Sequence, residues 1–377
     1  MMQRCILVVA LFALISCKKS DGNNALPILL NLEIVDSIKL EEKDYFLNGQ
    51  FHVKIIGDSL LGVSSVKSPS VAFYHVNGKQ RKRIASGDYP VGSFLPSYFD
   101  ASEYPIVYLL DKRSQSILKF NVEKQELLEK IKLQFPDDKE IKIMGSKFQK
   151  LPIGFLVELG SANYEQMNPK HYREGGKLIY LFDDLGQMKD KPFLEYPDQI
   201  KDVEGSLRAI DYLNLTSNRK SLYFTFAHAQ KIIKYDAFDF GKLLKEIPLP
   251  QSRYFNYQLK GAEEIYSFEE MEKNGERKKV NIPSNHYFNS IHETDKSILI
   301  QTWMNNQEKD KKSITISHVL VYDKEKETWS ETSNPRNILD IGMLAGVVND
   351  TLYFYEGSLM KSDEKYIKRA VLKPIKE

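Results

Sequence analysis

Ser221-Leu222-Tyr223-Phe224-Thr225-Phe226, followed across a polar gap by Lys234-Tyr235-Asp236, is the stretch whose reading decides the fold. The first run is short, aromatic-rich and introduced by the polar Arg219-Lys220, which is how a strand entered from a turn reads. The second run ends in an aromatic residue followed by an acidic one and then by more turn residues. Together they make two neighbouring strands of an antiparallel meander.

The same unit recurs along the chain. Its first run appears as Leu60-Leu61-Gly62-Val63, Val107-Tyr108-Leu109-Leu110, Gly154-Phe155-Leu156-Val157, Leu222 to Phe226, Ile298-Leu299-Ile300 and Leu352-Tyr353-Phe354-Tyr355. Polar turn residues and a small hydroxyl introduce several of these, as in Gly57-Asp58-Ser59, Asp295-Lys296-Ser297 and Asn349-Asp350-Thr351. The partner runs close at Phe73-Tyr74-His75, Lys119-Phe120-Asn121, Leu181-Phe182-Asp183, Lys234-Tyr235-Asp236 and Val321-Tyr322-Asp323. Spacing between units is uneven, and the largest insertion falls between Gln258 and Ile291. Helical periodicity is confined to Phe268 to Glu276 and Glu123 to Leu133, and Leu127 to Leu133 reads equally well as a strand. The expected class is therefore all-β. Six sheet-sized units point to a six-bladed β-propeller with long loops, closed by the N-terminal strand Leu32 to Leu40 pairing in the last blade near Tyr366 to Leu372. A two-sheet sandwich array or two smaller β domains are the alternatives.

Composition agrees with a sheet-built interior: 21 Tyr and 20 Phe suit half-buried pleated surfaces. The formal net charge of +2 leaves no basic footprint for nucleic acid. Arg277-Lys278-Lys279 reads as a solvated loop.

The N-terminus has a different chemistry. Arg4 supplies a positive start, Cys5 to Ala13 is an uninterrupted apolar run of secretory h-region size, and the run is too short for the about 20 residues that span a bilayer. It ends in Leu14-Ile15-Ser16-Cys17, which resembles the bacterial lipobox, with a small residue before a cysteine whose thiol would accept a diacylglyceryl group. The polar Lys18-Lys19-Ser20-Asp21-Gly22-Asn23-Asn24 suits a flexible tether. Its lysines and Asp21 resemble the short charged export signal of some surface lipoproteins. Residues 1–16 are thus expected to be a lipoprotein signal peptide, 17–29 a lipidated tether and 30–377 the propeller domain. With Cys5 and Cys17 the only cysteines, that domain has neither a disulfide nor a thiolate site.

The lipobox, the turn Ile84-Ala85-Ser86-Gly87-Asp88-Tyr89-Pro90-Val91-Gly92 and the Val107 to Phe120 pattern resemble the uncharacterised six-bladed-propeller lipoproteins common in Bacteroidetes-type bacteria. The resemblance covers nearly the whole chain beyond the leader. Those relatives often carry glycine, acid, glycine and proline in this turn, and here Tyr89 stands in place of the second glycine. The resemblance implies a fold and an envelope address, and no activity.

Chemistry is sparse. The histidines at 52, 75, 171, 228, 286, 292 and 318 show no helical zinc spacing, and His286 and His292 flank an expected strand start. Asp236 and Asp239 with Gly241 echo a calcium loop but lack its alternating ligands, and read as a β-turn. No G-x-S-x-G elbow or phosphate-binding loop occurs, and Asp137-Asp138 and Asp183-Asp184 read as solvated turns. Nothing in the pattern calls for a metal or a cofactor. Arg208, amid apolar residues in Glu204 to Tyr212, is placed at an inner-strand position, either binding an anion or sugar acid or paired with Asp211 or Glu204. The expected function is a non-enzymatic binding module in the cell envelope, anchored to a membrane, the outer membrane foremost, through Cys17. Its loops would hold an envelope protein, a peptide or a glycan. The alternative is a sugar-acid lyase or hydrolase, which requires Arg208, Asp211 and His228 to converge in a central funnel.

Overall fold

The computed structural model describes residues 26–42, 50–88, 93–142, 145–218, 220–267, 281–306, 314–356 and 364–375. The leader with Cys17 and most of the tether lie outside the described residues. So do Tyr89 to Gly92, the stretch Phe268 to Glu276, whose sequence periodicity is helical, and the basic cluster Arg277 to Lys279.

The described residues form a succession of antiparallel meanders. Sheet I runs through Gln50–Ile56, Leu60–Ser65, Ser70–His75 and Gln80–Ala85, and sheet II through Pro96–Glu103, Ile106–Asp111, Ser116–Asn121 and Glu126–Lys132. Sheet III has three strands, Phe148–Leu151, Gly154–Glu158 and Ile179–Phe182, with isolated bridges Ile179 to Phe193 and Phe182 to Met188 on its outer side. Sheet IV comprises Leu213–Ser217, Ser221–Phe226, Lys231–Asp236 and Leu243–Pro248. Sheets V and VI are parts of one ten-stranded sheet joined through Ile28–Lys39; the part called sheet V has Tyr287–Glu293, Ser297–Asn306, Val319–Asp323 and Thr328–Thr332, and the part called sheet VI has Met343–Val348, Thr351–Glu356 and Tyr366–Pro374.

Ile28–Lys39 is the outer strand of sheet VI. It pairs antiparallel with Tyr366–Pro374, from Leu30 opposite Pro374 to Lys39 opposite Tyr366, as the sequence anticipated. Its first residues also run parallel to the edge of sheet V, Ile28 opposite Ser330. Among the described residues no helix is long and apolar enough to cross a membrane.

Every one of the six apolar runs lies in the second strand of its sheet, and packing explains why these runs do not alternate between apolar and polar. Side chains alternate between the two faces of a strand, and here both faces are covered, so period-two polarity disappears. In sheet IV, Leu222, Phe224 and Phe226 pack with Leu156 and Leu181 of sheet III, while Tyr223 packs with Ile298 and Ile300 of sheet V. In sheet II, Val107 and Leu109 face sheet I and Tyr108 and Leu110 face sheet III. Leu352 and Phe354 of sheet VI meet Leu299 and Val319 of sheet V. Tyr353 and Tyr355 meet Leu61, Val63 and Tyr74 of sheet I. Apolar side chains therefore fill each gap between consecutive sheets in an all-β, propeller-type architecture. A fully buried aromatic or aliphatic side chain contributes about 1.5–3 kcal/mol, so these interfaces carry the stability of a domain without disulfides.

The recurring aromatic-then-acid signature also has a cause. Asn121, Asp236 and Asp323 each close a third strand and Asp183 directly follows one; all four accept backbone N–H groups of the next few residues, Asp236 from Phe238 at 2.8 Å and Asp323 from Lys326 at 2.9 Å. Each is an Asx turn that starts the last hairpin. Asp236 and Asp239 are therefore turn residues, as expected, and these N–H groups hold the Asp236 carboxyl below its ordinary value.

Candidate functional site

The first strands of the sheets surround a polar cavity of about 240 Å³, lined by His52 to Ile55, Tyr98, Lys147 to Gln149, Asn214 to Ser217, Asn289 to Glu293 and Met343 to Val347. On sheet I the alternation is simple. Val53 and Ile55 pack into the apolar gap toward sheet VI, and His52 and Lys54 occupy the other side of the strand. The His52 ring lies on Tyr98, with centroids 4.0 Å apart. Burial, reinforced by the nearby Lys147 charge, pushes the His52 imidazole down to about 3, so it is neutral at pH 7.

The sheet III side of this wall is ionic. Lys142 Nζ sits 2.7 Å from Glu158 Oε1 and 3.5 Å from Asp211 Oδ1, and Lys147 Nζ lies 3.2 Å from Asp211 Oδ2. The Lys142 and Glu158 side chains are 4% and 0% exposed. Such burial is tolerated only because each charge faces its opposite. Burial works against the Lys142 ammonium, yet Glu158 and Asp211 hold it above the ordinary lysine range. Burial likewise works against the Asp211 carboxylate, and Lys147 with Lys142 outweighs it, keeping the group below the usual aspartate value. Local sequence sets this geometry. Gly145 has φ of +75°, and the Asp211 carboxylate occupies the space a β-carbon there would need. Glu158 Oε2 accepts the Lys147 N–H at 2.9 Å, and Ser97 Oγ donates to the Lys142 carbonyl at 2.6 Å.

From sheet IV to sheet VI the wall is built mainly on side-chain amides, with the Glu293–Lys324 ion pair beside them. Asn214 Nδ2 donates to the Phe288 carbonyl at 3.0 Å, and Asn289 Nδ2 donates to Gln301 Oε1 at 3.0 Å. Gln301 Nε2 donates to the Gly342 carbonyl at 2.9 Å. His292 Nε2 lies 2.9 Å from the Leu344 carbonyl, and burial pushes its imidazole down to about 4.

A second, open cleft of about 800 Å³ lies on the connection between sheets IV and V, lined by Gln199, His228, Gln230 and residues 251–260. Five side-chain amides face it (Gln199, Gln230, Gln251, Asn256 and Gln258), together with Tyr254, Phe255 and Tyr257. The aromatics are fixed from below: Phe255 is buried against Phe288 at 5.0 Å and Tyr257 at 4.9 Å. The segment itself is tethered through Ser252, whose hydroxyl donates to Glu331 Oε2 at 2.7 Å and accepts the N–H groups of Tyr254 and Phe255. Arg253 adds an ion pair to Glu331 at 2.9 Å. Burial alone would raise the Glu331 carboxyl, but these hydrogen bonds, together with one from His318, hold it down at about 2.

The three residues singled out in the sequence occupy three places. Arg208 is exposed on a loop, not at an inner-strand position, because Glu204 to Tyr212 packs as irregular chain leading into Leu213–Ser217. Its guanidinium reaches Ser284 Oγ at 3.4 Å, and neither Asp211 nor Glu204 is its partner. Asp211 belongs to the ionic wall. His228 is buried beside the cleft, its Nδ1 2.9 Å from the Tyr257 carbonyl and its Nε2 without a hydrogen-bond partner among the described residues. The convergence a central-funnel enzyme requires is therefore not formed by these three. The sequence reading passed over Lys142, Lys147 and Glu158. A usable signal was present in Glu158, a carboxylate that ends the apolar run Gly154 to Val157 inside a strand. Among the described residues no group of three or more His, Cys, Asp or Glu is placed to hold a metal ion.

No protein-family model matches the chain, and no curated protein matches it. Among solved structures, an exported protein of Bacteroides fragilis superposes with a TM-score of 0.55 at 13% identity, covering 92% of this chain and 96% of that one. That likeness concerns the fold. A luciferin-regenerating enzyme (TM-score 0.45, 10% identity, 92% and 97% coverage) and the aldose sugar dehydrogenase of Streptomyces coelicolor (0.44, 14%, 93% and 100%) are more distant.

Proposed function

We propose that the chain is a lipid-anchored envelope protein, a closed six-bladed β-propeller, that binds a neutral glycan in the cleft of residues 251–260 without turning it over. The observation that carries the ligand class is the lining of the cleft. Each amide offers a donor and an acceptor to sugar hydroxyls, and half-buried tyrosines offer flat faces to the C–H surfaces of a pyranose ring. Among the described residues no carboxylate lines the cleft to act as acid or base in glycoside chemistry.

Ring closure is supported by the apolar packing of sheet VI against sheet I and by the first strand of sheet I, which lies beside those of both sheet II and sheet VI. Deleting residues 30–40 should therefore lower the stability of the whole domain in one cooperative transition. An unchanged melting temperature would argue for an open array. Lipid anchoring rests on Leu14 to Cys17, and stable attachment needs two buried acyl chains or more. Cys17→Ala should move the protein from the membrane to the soluble fraction and abolish palmitate labelling. Membrane retention with no label in the native protein would sink the anchor.

The ligand is tested by presenting the full chain to an array of neutral oligosaccharides. Capture should occur, and Tyr254→Ala and Gln258→Ala should each weaken it with the melting temperature unchanged. Capture unaffected by either substitution, or hydrolysis or elimination of the bound sugar, would overturn the reading in favour of another face or of an enzyme.

A further inference from the structure

The central cavity carries an imbalance that the ionic wall does not remove. Lys142 and Lys147 are matched by Glu158 and Asp211, and Glu293, also at the cavity, is matched by Lys324 and hydrogen-bonded by Asn218 at 2.7 Å. Lys54 lies on the first strand of sheet I, partly buried in the cavity wall, and among the described residues it makes neither an ion pair nor a hydrogen bond. The Tyr98 hydroxyl on the first strand of sheet II is a second such group, a donor at the cavity with no acceptor among the described residues. The two groups share one space. The Lys54 charge opposes the burial that raises the Tyr98 phenol, and it reaches the His292 imidazole across the cavity on sheet V.

An ammonium held in a partly desolvated space gains most from an anion placed against it, because the local dielectric is lower than that of water. One uncompensated positive charge matches one negative charge. The cavity, about 240 Å³, falls below the about 300–1,000 Å³ of sites for drug-sized ligands, so the occupant is small. A planar group with two acceptor oxygens can take one donor on each. We propose that the central cavity is a binding site for a small monocarboxylate, held between the Lys54 ammonium and the Tyr98 hydroxyl. This site is separate from the glycan cleft, and its occupancy does not depend on that reading.

The test is calorimetric titration of the full chain with acetate, lactate and glucuronate, with glucose as the uncharged control and inorganic phosphate as the multiply charged one. Saturable binding of at least one carboxylate is expected, weakening as ionic strength rises and absent for glucose. Lys54→Met should reduce affinity at least tenfold, and Tyr98→Phe, which removes only the O–H, several-fold. The melting temperature of Lys54→Met should hold or rise, since no ion pair is broken. Three outcomes overturn the proposal: no binding of any carboxylate at millimolar concentration, binding undiminished in Lys54→Met, or phosphate bound in preference to all three carboxylates.

Discussion

On the sheet III side of the central cavity the polar wall is made of paired charges, whereas from sheet IV round to sheet VI, apart from the Glu293–Lys324 ion pair, it is made of neutral amides. The difference follows from how the chain enters each sheet. The first strands of sheets IV and V lie beside one another, so the short Asn214 amide reaches the Phe288 backbone directly. The chain enters sheet III through residues that include Ile141, Lys142 and Gly145 to Lys147, which lie outside any ladder and whose N–H and C=O groups must find side-chain partners. Glu158, Ser146 and Ser97 supply them, and once Glu158 is buried for that purpose Lys142 must follow to neutralise it. Amides stitch sheet to sheet, and charges fasten an irregular segment to the fold.

If that account is right, the two arcs fail differently. Glu158→Gln keeps the shape and the acceptor for the Lys147 N–H, but leaves the Lys142 ammonium in a buried site without its nearest counter-charge. Breaking one partner of a buried pair costs about 3–5 kcal/mol, which urea denaturation would register directly. Adding Lys142→Met should recover most of the loss, because the uncompensated charge is then gone. A single-variant cost below about 1 kcal/mol would mean that water reaches the pair. On the neutral arc, Gln301→Leu removes the acceptor for Asn289 Nδ2 and the Leu344 N–H and the donor for the Gly342 carbonyl. Orphaned neutral groups cost about 1–3 kcal/mol. A loss matching that of Glu158→Gln would erase the distinction between the arcs.

The sequence exposed the strands that are buried on both faces and hid those that line the cavity. Leu222 to Phe226 and Val107 to Leu110 stand out because neighbours cover both sides, and the one polar residue within them, Thr225, is buried with its hydroxyl donating to the Lys231 carbonyl. Tyr322-Asp323 recurs as a pattern because an Asx turn at the same point of each meander calls for a short acceptor side chain. The first strands are different. His52-Val53-Lys54-Ile55 and Asn289-Ser290 face a polar cavity, and their mixed composition resembles that of a loop. Arg208 misled for the opposite reason: Leu207 and Ile210 around it are apolar because an irregular segment packs into the gap between sheets III and IV. Apolar neighbours mark burial, and burial does not require a strand.

Acid should separate the arcs least sharply, through three buried imidazoles. Burial is the leading cause in each case and lowers His52 to about 3, His171 to about 4 and His292 to about 4, from an ordinary value of 6.5. A group whose folded value is depressed binds its proton more readily in the unfolded chain. Its contribution to stability is therefore complete above pH 6.5 and is lost as pH falls from there toward its folded value. Within that window each histidine adds a slope of up to about 1.4 kcal/mol per pH unit, as one pKa unit corresponds to that energy. Carboxylates such as Glu331, held at about 2, join only below about 4.5. Urea midpoints at several pH values between 7.5 and 4.5 should fall steadily, starting well before the carboxylates titrate. His171→Asn retains a donor for the Tyr164 carbonyl, which His171 Nδ1 meets at 2.9 Å, but carries nothing that protonates in this range. The variant should flatten the curve by one histidine's slope while leaving stability at pH 7.5 little changed. A curve as steep as that of the native protein would mean that His171 is protonated in the folded state at pH 5, and that the space around it admits water.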